Sequence, residues 1–464
     1  MRRATLALLA RPVSGADRAR FLLISGSTAV AGGLLIAGAR VAQLTMDSNS
    51  GGTFVGPFAG GRTGGLAPYV TQAGLRPGVV LGAVLLTVPV LALAVQALRA
   101  GSVARERRLA SLRLAGATPG DVRTVAGVEA GLAAAVGGLL AGPIYGLLWL
   151  VLGVVLPSGS RLVPTPTPVD LAVWAGVAAA SALSGGIAGA LVQGNVVADP
   201  LGVRRRAGDG SQARWVNRGA LMVGALLLVG GWLALSSGGG IELVVLAAGI
   251  LGILLLAFAG GSRLVRRRGR RLQRRGTAED LLAGARLAAE PRAPGRVAAV
   301  LTVCGFALGL EAVIVTGLFG QDGPRAEDLG FYLTGFGMAG VGVLLAVVIA
   351  VLTLLVGAAD QLLDARRPLA SLAALGVDRA TLERVLRRQQ SAAAVPSVLV
   401  GTALGGLAAA ALAGDDATLG AGLLGCGLAA LVAAAAVSAA VRAATRLLRS
   451  RLTAVLDPEN LRVA

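Results

Sequence analysis

Long apolar runs recur along this chain and limit its fold more than any other feature. Each run has about 20 residues or more, and a helix of that length crosses the ~30 Å hydrocarbon core of a bilayer. The sequence therefore predicts an all-α polytopic membrane protein with about ten transmembrane helices. The predicted spans are residues 21–45, 78–98, 125–156, 169–193, 219–236, 241–261, 297–319, 333–357, 391–413 and 417–441.

The composition agrees with a membrane location and excludes several kinds of chemistry. Of the 464 residues, 55% are hydrophobic and only 14% are charged, which is too apolar for a soluble core. All 43 basic residues are arginines, and there is no histidine. This excludes a Walker A lysine, a lysine Schiff base, a histidine metal site and a Ser-His-Asp triad. We therefore expect no catalytic, metal-binding or cofactor-binding residue, and neither a disulfide nor a metal at Cys304 or Cys426.

The arginines predict how the chain is oriented. Runs of arginine fall in alternate loops, whereas the other loops carry few, chiefly Arg62, Arg76, Arg161 and Arg325. By the positive-inside rule this pattern predicts a multi-pass protein of the cell membrane with both termini in the cytoplasm. The net charge of +19 is typical of nucleic-acid binding as well, but these arginines lie beside apolar runs with few aromatic residues. We expect the lipid bilayer and a cytoplasmic protein as partners, and no nucleic acid.

One stretch predicted to be cytoplasmic, residues 105–129, recurs about 260 residues later at 364–389. Each copy joins the second and third spans of a four-span unit, and the two units occupy residues 21–193 and 297–441. The alternative is a charged turn placed by the positive-inside rule, but recurrence favours a shared task in docking a partner. Arg107, Leu109, Ala110, Ser111, Leu112, Gly116 and Val125 fall on Arg367, Leu369, Ala370, Ser371, Leu372, Gly376 and Val385.

Both copies carry the local signals of a helix, a break and a new helix. Gly116 and Gly376 are placed to end a helix, because glycine adopts the left-handed conformation at that position without strain. Thr118 is the predicted N-cap of the next helix, with Asp121 three residues later, and Asp378 is the predicted cap in the second copy.

The repeats divide the chain into five predicted segments. Both units begin and end on the same side, so the repeats are parallel. Ion-driven transporters commonly have inverted repeats and charged groups within their helices, whereas the repeats of this chain are parallel and its predicted spans are nearly free of charge. The segments are an interfacial helix at 1–20, the first unit at 21–193, basic segments at 194–296 flanking a two-helix spacer at 219–261, the second unit at 297–441 and a tail at 442–464.

The run ERRLASLRLAGA at 106–117 resembles the loop between the second and third spans of FtsX-like (MacB-type) ABC transporter permeases. The segment ARLAAEPRAPGR at 285–296 is similar to the lead-in to the first span of that unit, and the resemblance covers essentially the whole ten-helix layout. It implies a coupling helix that sits on a separate ATPase subunit. The implied docking residues are Glu106, Arg107, Arg108, Leu109, Leu112, Arg113 and Gly116, and more weakly Arg367, Leu369, Leu372 and Gly376.

The resemblance also has limits. Pro368 interrupts the second copy, so the two docking surfaces are not expected to be equal. Members of this family often carry a large extracytoplasmic domain, and this chain has only short outer loops. A role in gripping large extracytoplasmic partners is therefore not carried over.

The predicted function follows from the missing phosphate-binding loop and from the two break motifs. We expect a permease that has no ATPase site of its own and binds two copies of a cytoplasmic ABC ATPase, which would hold the ATP. Its predicted activity is export, or extraction from the membrane, of an amphiphilic substrate such as a lipid, a peptide or a hydrophobic drug. The alternative is a signalling protein that controls an extracellular partner through cycles of the ATPase.

Arg40 and Glu311 are charged residues in the outer halves of predicted spans. Arg40 is in the outer half of the first span, and Glu311 is in the outer half of its counterpart. A charge at that depth is costly unless it is paired or hydrated, so we hypothesise an ion pair between them. The alternative is that Arg40 snorkels to the outer interface while Glu311 faces water.

Overall fold

The structure, a computed structural model, is almost entirely helical in the part of the chain that it describes. The only β-type pairing among these residues is an isolated bridge between Leu66 and Arg161. The described residues are 15–44, 66–72, 76–99, 111, 114, 116–155, 161–168, 170–197, 222–227, 242–289, 291–320, 326–364, 369–371, 374–413 and 416–449.

Eleven helices are numbered here in chain order, and ten of them have twelve residues or more. Long apolar stretches favour helix because each backbone group then finds its partner within the segment. The helices are α1 (Gly15–Ala42), α2 (Pro68–Thr71), α3 (Arg76–Arg99), α4 (Pro119–Val155), α5 (Asp170–Val197), α6 (Glu242–Gln273), α7 (Ala278–Ala289), α8 (Arg292–Gly320), α9 (Ala326–Asp364), α10 (Arg379–Ala413) and α11 (Asp416–Leu447).

Eight of these helices, α1, α3, α4, α5 and α8 to α11, are long and apolar enough to cross a membrane. They cover eight of the ten predicted spans, so the prediction of an all-α multi-pass membrane protein is confirmed at this level. The spacer is described in part: residues 222–227 are helical, and the predicted span 241–261 lies on α6. Helix α1 begins at Gly15, inside the segment predicted as a separate interfacial helix, and residues 1–14 lie outside the described part.

The chain divides into two compact units, residues 1–204 and 205–464. In the first unit α4 packs against α5 and α1, and α1 also packs against α3. In the second unit α8 packs against α10, α11 and α6, while α7 lies between α6 and α10. Helix α6 of the spacer therefore belongs with the second unit. The equivalence of the two four-helix sets stays a prediction.

Glycines allow the backbones of α8 and α10 to contact each other directly. Gly305 and Gly309 of α8 face the backbone carbonyls of Val398 and Thr402, which each added Cβ would overlap. In the same way, Gly401 and Gly405 of α10 face backbone carbonyls of α8. Small residues four apart are the usual means of close helix packing in lipid, where there is no hydrophobic effect between helices.

Replacing Gly405 with alanine is expected to destabilise the second unit by about 1–3 kcal/mol, because the new Cβ would overlap the carbonyl oxygen of Phe306. The matched control is Gly427→Ala on α11, where no atom lies within 4 Å of the added Cβ. That control should be neutral or slightly stabilising, since alanine favours helix over glycine. Thermal unfolding of the purified chain in lipid nanodiscs measures both. Equal unfolding temperatures for the two variants would contradict this packing.

Candidate functional site

The first break motif, residues 111–121, has the predicted conformation. Gly116 has a φ of +93°, the left-handed value that ends a helix. The backbone N–H of Thr118 donates to the Asp121 carboxylate at 3.0 Å, and the N–H of Asp121 donates to the Thr118 hydroxyl at 3.2 Å. This reciprocal capping box begins α4, which then runs for 37 residues to Val155. The predicted helix stop and N-cap are confirmed.

The second break motif, residues 371–381, repeats this arrangement with a simpler cap. Gly376 has a φ of +90°. The carboxylate of Asp378 accepts a hydrogen bond from the backbone N–H of Thr381 at 3.1 Å, and hydrogen bonds with Thr381 lower the pKa of Asp378. The cap begins α10, a helix of 35 residues. Both motifs therefore join a positive-φ glycine to the start of a long helix that contains a predicted span.

An exposed leucine precedes the glycine of each break motif. Leu114 lies two residues before Gly116 and is 91% exposed, and Leu375 lies directly before Gly376 and is 81% exposed. Among the large hydrophobic residues that the structure describes, these two are the most exposed. The sequence interpretation did not identify these two leucines. Their position just before the glycine is the sequence feature that could have indicated them.

Leu369, which the resemblance placed at the docking surface, lies in the core of the second unit. It is 1% exposed and packs in a cluster with Leu362, Leu382, Leu386 and Leu448. Its side chain packs against α9, α10 and Leu448, which directly follows α11, and it offers no surface to a partner in this structure. The remaining predicted docking residues lie outside the described part: Glu106, Arg107, Arg108, Leu109, Leu112, Arg113, Arg367 and Leu372.

A third break of the same kind, not predicted from the sequence, separates α6 from α7. Gly276 has a φ of +80°. The next residue, Thr277, accepts a hydrogen bond from the backbone N–H of Asp280 at 3.2 Å and donates its hydroxyl to the Asp280 carboxylate at 2.8 Å. The motif follows a run of arginines in the sequence. The whole segment was therefore interpreted as a basic cluster, and the break was not predicted.

Helix α7 holds the start of α10 through ion pairs, which we call the α7–α10 clamp. Arg384 contacts Glu279 at 2.6 Å. Arg388 contacts Glu279 at 3.1 Å and Asp280 at 2.9 Å. The counterparts of these arginines in the first copy are Thr124 and Val128, so only the second break motif has this clamp.

The pKa of Asp280 is lowered from its ordinary value of 3.8, first by the hydrogen bond from Thr277 and then by Arg388. A lowered folded-state pKa means that this stabilisation is fully present above the ordinary value. It is lost as the pH falls through the lower folded-state pKa. The clamp is therefore intact at neutral pH, and acid would release its Asp280 contact only at a pH below the ordinary carboxyl pKa of 3.8.

The substitution Arg388→Gln should weaken the clamp by no more than about 1 kcal/mol, since the arginine is partly exposed to solvent. Hydrogen exchange of the backbone amides of α7 should then become faster, by up to about fivefold. Arg387→Gln is the matched control, because Arg387 is exposed and has no ion pair among the described residues. If both substitutions left exchange in α7 unchanged, the clamp would contribute nothing to holding it.

The first unit holds α4 by a different pair. Arg20 of α1 contacts Glu129 of α4 at 3.4 Å, and both side chains are largely buried. The gap-free match between the two copies places Glu129 on Gln389, which is also buried but uncharged. The two break motifs are thus supported by different side chains, while their inequality as docking surfaces stays a prediction.

Arg40 has an acidic partner that the sequence interpretation did not name. Its guanidinium forms an ion pair with Asp170 at the start of α5 and donates to the hydroxyl of Thr167 at 3.2 Å. Arg40 is 8% exposed, and its snorkelling to the outer interface stays a prediction. Glu311 lies on α8 with its carboxylate beside Gly340 of α9. The hypothesised pair joins residues of different units and stays a prediction.

Among the described residues, no group of three or more cysteine, aspartate or glutamate side chains is arranged to hold a metal ion. No protein-family model, curated protein or solved structure matches this chain. The likeness to FtsX-like permeases therefore rests on the quoted motifs, their spacing and their duplication.

Proposed function

We propose that this chain is the membrane-spanning permease subunit of an ATP-driven ABC transporter of the FtsX-like kind. A separate cytoplasmic ATPase, bound in two copies, would supply the energy. The observation that carries the proposal is the duplicated break motif, in which a positive-φ glycine follows an exposed leucine and precedes a capped helix.

The geometry of each motif suits the transfer of force from a docked protein to the membrane. Helices α4 and α10 each begin three residues after the glycine and continue for 37 and 35 residues. At 1.5 Å per residue each is more than 50 Å long, which exceeds the ~30 Å hydrocarbon core by several turns. A partner that moved the start of such a helix would move its membrane portion with it.

The exposed leucines suit protein contact better than lipid contact. Most of the other exposed leucines lie within the eight span helices, where lipid would cover them. Leu114 and Leu375 lie in the break motifs, outside those spans, on the side that the arginines predict to be cytoplasmic. Burying one leucine side chain at an interface contributes about 1.5–3 kcal/mol, so each leucine would add substantially to the affinity for one ATPase copy.

The direct test is co-expression of the full chain with a P-loop ATPase encoded beside it. The chain should purify from mild detergent with that ATPase, and native mass spectrometry should show two ATPase subunits for each chain. An ATPase that binds only to vesicles, or that never accompanies the chain, would overturn the proposal.

An amphiphilic substrate, such as a lipid, a peptide or a hydrophobic drug, fits spans that are mostly apolar. In the alternative, a signalling protein, the same docking would control an extracellular partner. Stimulation of ATP hydrolysis by an amphiphile in nanodiscs favours transport. Dependence of hydrolysis on an added extracellular protein, without such stimulation, favours signalling.

A further inference from the structure

Helix α6 continues without a break beyond its apolar run, and its last three turns are strongly basic. Residues 243–261 are almost entirely apolar, and at 1.5 Å per residue they span about 28 Å, close to the thickness of the hydrocarbon core. The helix then continues to Gln273. Its last twelve residues, 262–273, would extend about 18 Å past the edge of that core.

Six arginines form a ladder along this extension and the turn that follows it. Arg266, Arg267, Arg270 and Arg271 lie on one half of the surface of α6, and Arg274 and Arg275 lie in the turn directly after Gln273. All six are exposed, and none forms an ion pair with a carboxylate in the described part of the chain. This arginine ladder consists of Arg266, Arg267, Arg270, Arg271, Arg274 and Arg275.

The opposite side of α6 is packed, which holds the ladder in place. Val265 and Leu272 are buried in a cluster with Leu287 of α7. Gly269 lies against the backbone of Gly284, so the two helices approach closely. The arginines are therefore displayed on a rigid surface, and a ligand does not have to order the backbone that carries them.

The chemistry of the ladder favours phosphate groups over a protein surface. Arginine binds phosphate through two parallel hydrogen bonds. A protein interface is expected to have apolar or aromatic anchors at its centre, and the exposed residues of the ladder include none. Leu114 and Leu375 at the break motifs provide the contrasting case, where an apolar side chain is exposed.

The position of the ladder favours lipid as the source of that phosphate. Along the helix, Arg266 and Arg267 lie about 7–9 Å beyond the apolar run, at the depth of the headgroup layer, whereas Arg274 and Arg275 follow the helix end, which is about 18 Å beyond the run. We propose that the arginine ladder binds the headgroup phosphates of anionic phospholipids in the leaflet predicted to be cytoplasmic. Attraction to such a surface decays over a Debye length of about 8–10 Å. The arginines nearest the apolar run therefore contribute most. This proposal does not depend on the proposed function.

The test compares two double variants that remove the same charge at different depths. The full chain is extracted from vesicles of equal parts phosphatidylglycerol and phosphatidylcholine, and the phosphatidylglycerol retained per chain is counted by native mass spectrometry. The wild-type chain should retain phosphatidylglycerol in preference to phosphatidylcholine. Arg266→Gln with Arg267→Gln should lower that retention about tenfold, and Arg274→Gln with Arg275→Gln should lower it clearly less.

The control pair is Arg266→Lys with Arg267→Lys, which keeps both positive charges at the same depth and should therefore retain most of the phosphatidylglycerol. Each variant must unfold at the wild-type temperature in pure phosphatidylcholine, so that lost retention reports lost binding. The proposal is overturned if the wild type shows no lipid preference or if the control pair loses as much as the inner pair. It is also overturned if millimolar inorganic phosphate displaces the lipid, or if the ladder variants keep their lipid and lose a protein partner.

Discussion

Replacing Asp170 with asparagine should destabilise the first unit by about 3–5 kcal/mol, because it leaves the guanidinium of Arg40 buried without an opposite charge. Arg40 and Asp170 are 8% and 7% exposed, so water reaches neither freely. Asparagine still accepts hydrogen bonds at the start of a helix. The lost stability therefore reports the charge rather than the cap of α5. Thermal unfolding of the chain in nanodiscs measures the change.

Two further variants test whether the lost stability comes from this ion pair. Arg40→Met added to Asp170→Asn removes the stranded charge and should recover most of the lost stability. Glu311→Gln tests the pair hypothesised from the sequence, and it should cost much less than Asp170→Asn if Asp170 is the principal partner of Arg40. An unfolding temperature for Asp170→Asn equal to that of the wild type would show that the pair does not stabilise the fold.

Changing both Leu114 and Leu375 to glutamine should abolish the complex with the ATPase while leaving the chain folded. Each leucine is almost fully exposed, so its removal costs the unbound chain little. At an interface each would contribute about 1.5–3 kcal/mol, so each single variant should bind one of the two ATPase copies about 10–150 times more weakly. Glutamine is preferred to aspartate because a carboxylate in the last turn opposes the helix dipole.

The matched control is Leu281→Gln, which makes the same change at a leucine of α7 that is exposed and lies outside both break motifs. Binding of the ATPase to the immobilised chain, followed by biolayer interferometry, should be unchanged in this control. Undiminished binding by the Leu114 and Leu375 double variant would show that the leucines are not the docking contacts.

The breaks at Gly116 and Gly376 were predictable because their chemistry is local. In each motif the glycine that ends a helix and the capping side chain two residues later lie within one short stretch of sequence. The break at Gly276 has a similar signature in Gly-Thr-Ala-Glu-Asp, with the capping threonine directly after the glycine. It was not predicted because the whole segment, with its run of arginines, was interpreted as a basic cluster.

Contacts between distant residues were not predictable in the same way. The Arg40–Asp170 pair joins residues 130 positions apart, and nothing near either residue indicates the other. Leu369 is buried by residues that include Leu448 at the far end of the chain, so its helix alone gave no sign of which face is covered. The α7–α10 clamp likewise joins segments more than 100 residues apart.

The most direct test of an ATPase-driven permease is the rate of ATP hydrolysis by the partner in nanodiscs that contain this chain. The rate should rise when an amphiphilic substrate is added to the wild-type complex. It should stay at the level of the isolated ATPase when the chain carries Leu114→Gln and Leu375→Gln. A rate that is independent of the chain, or equal stimulation by the wild-type and variant chains, would contradict the account.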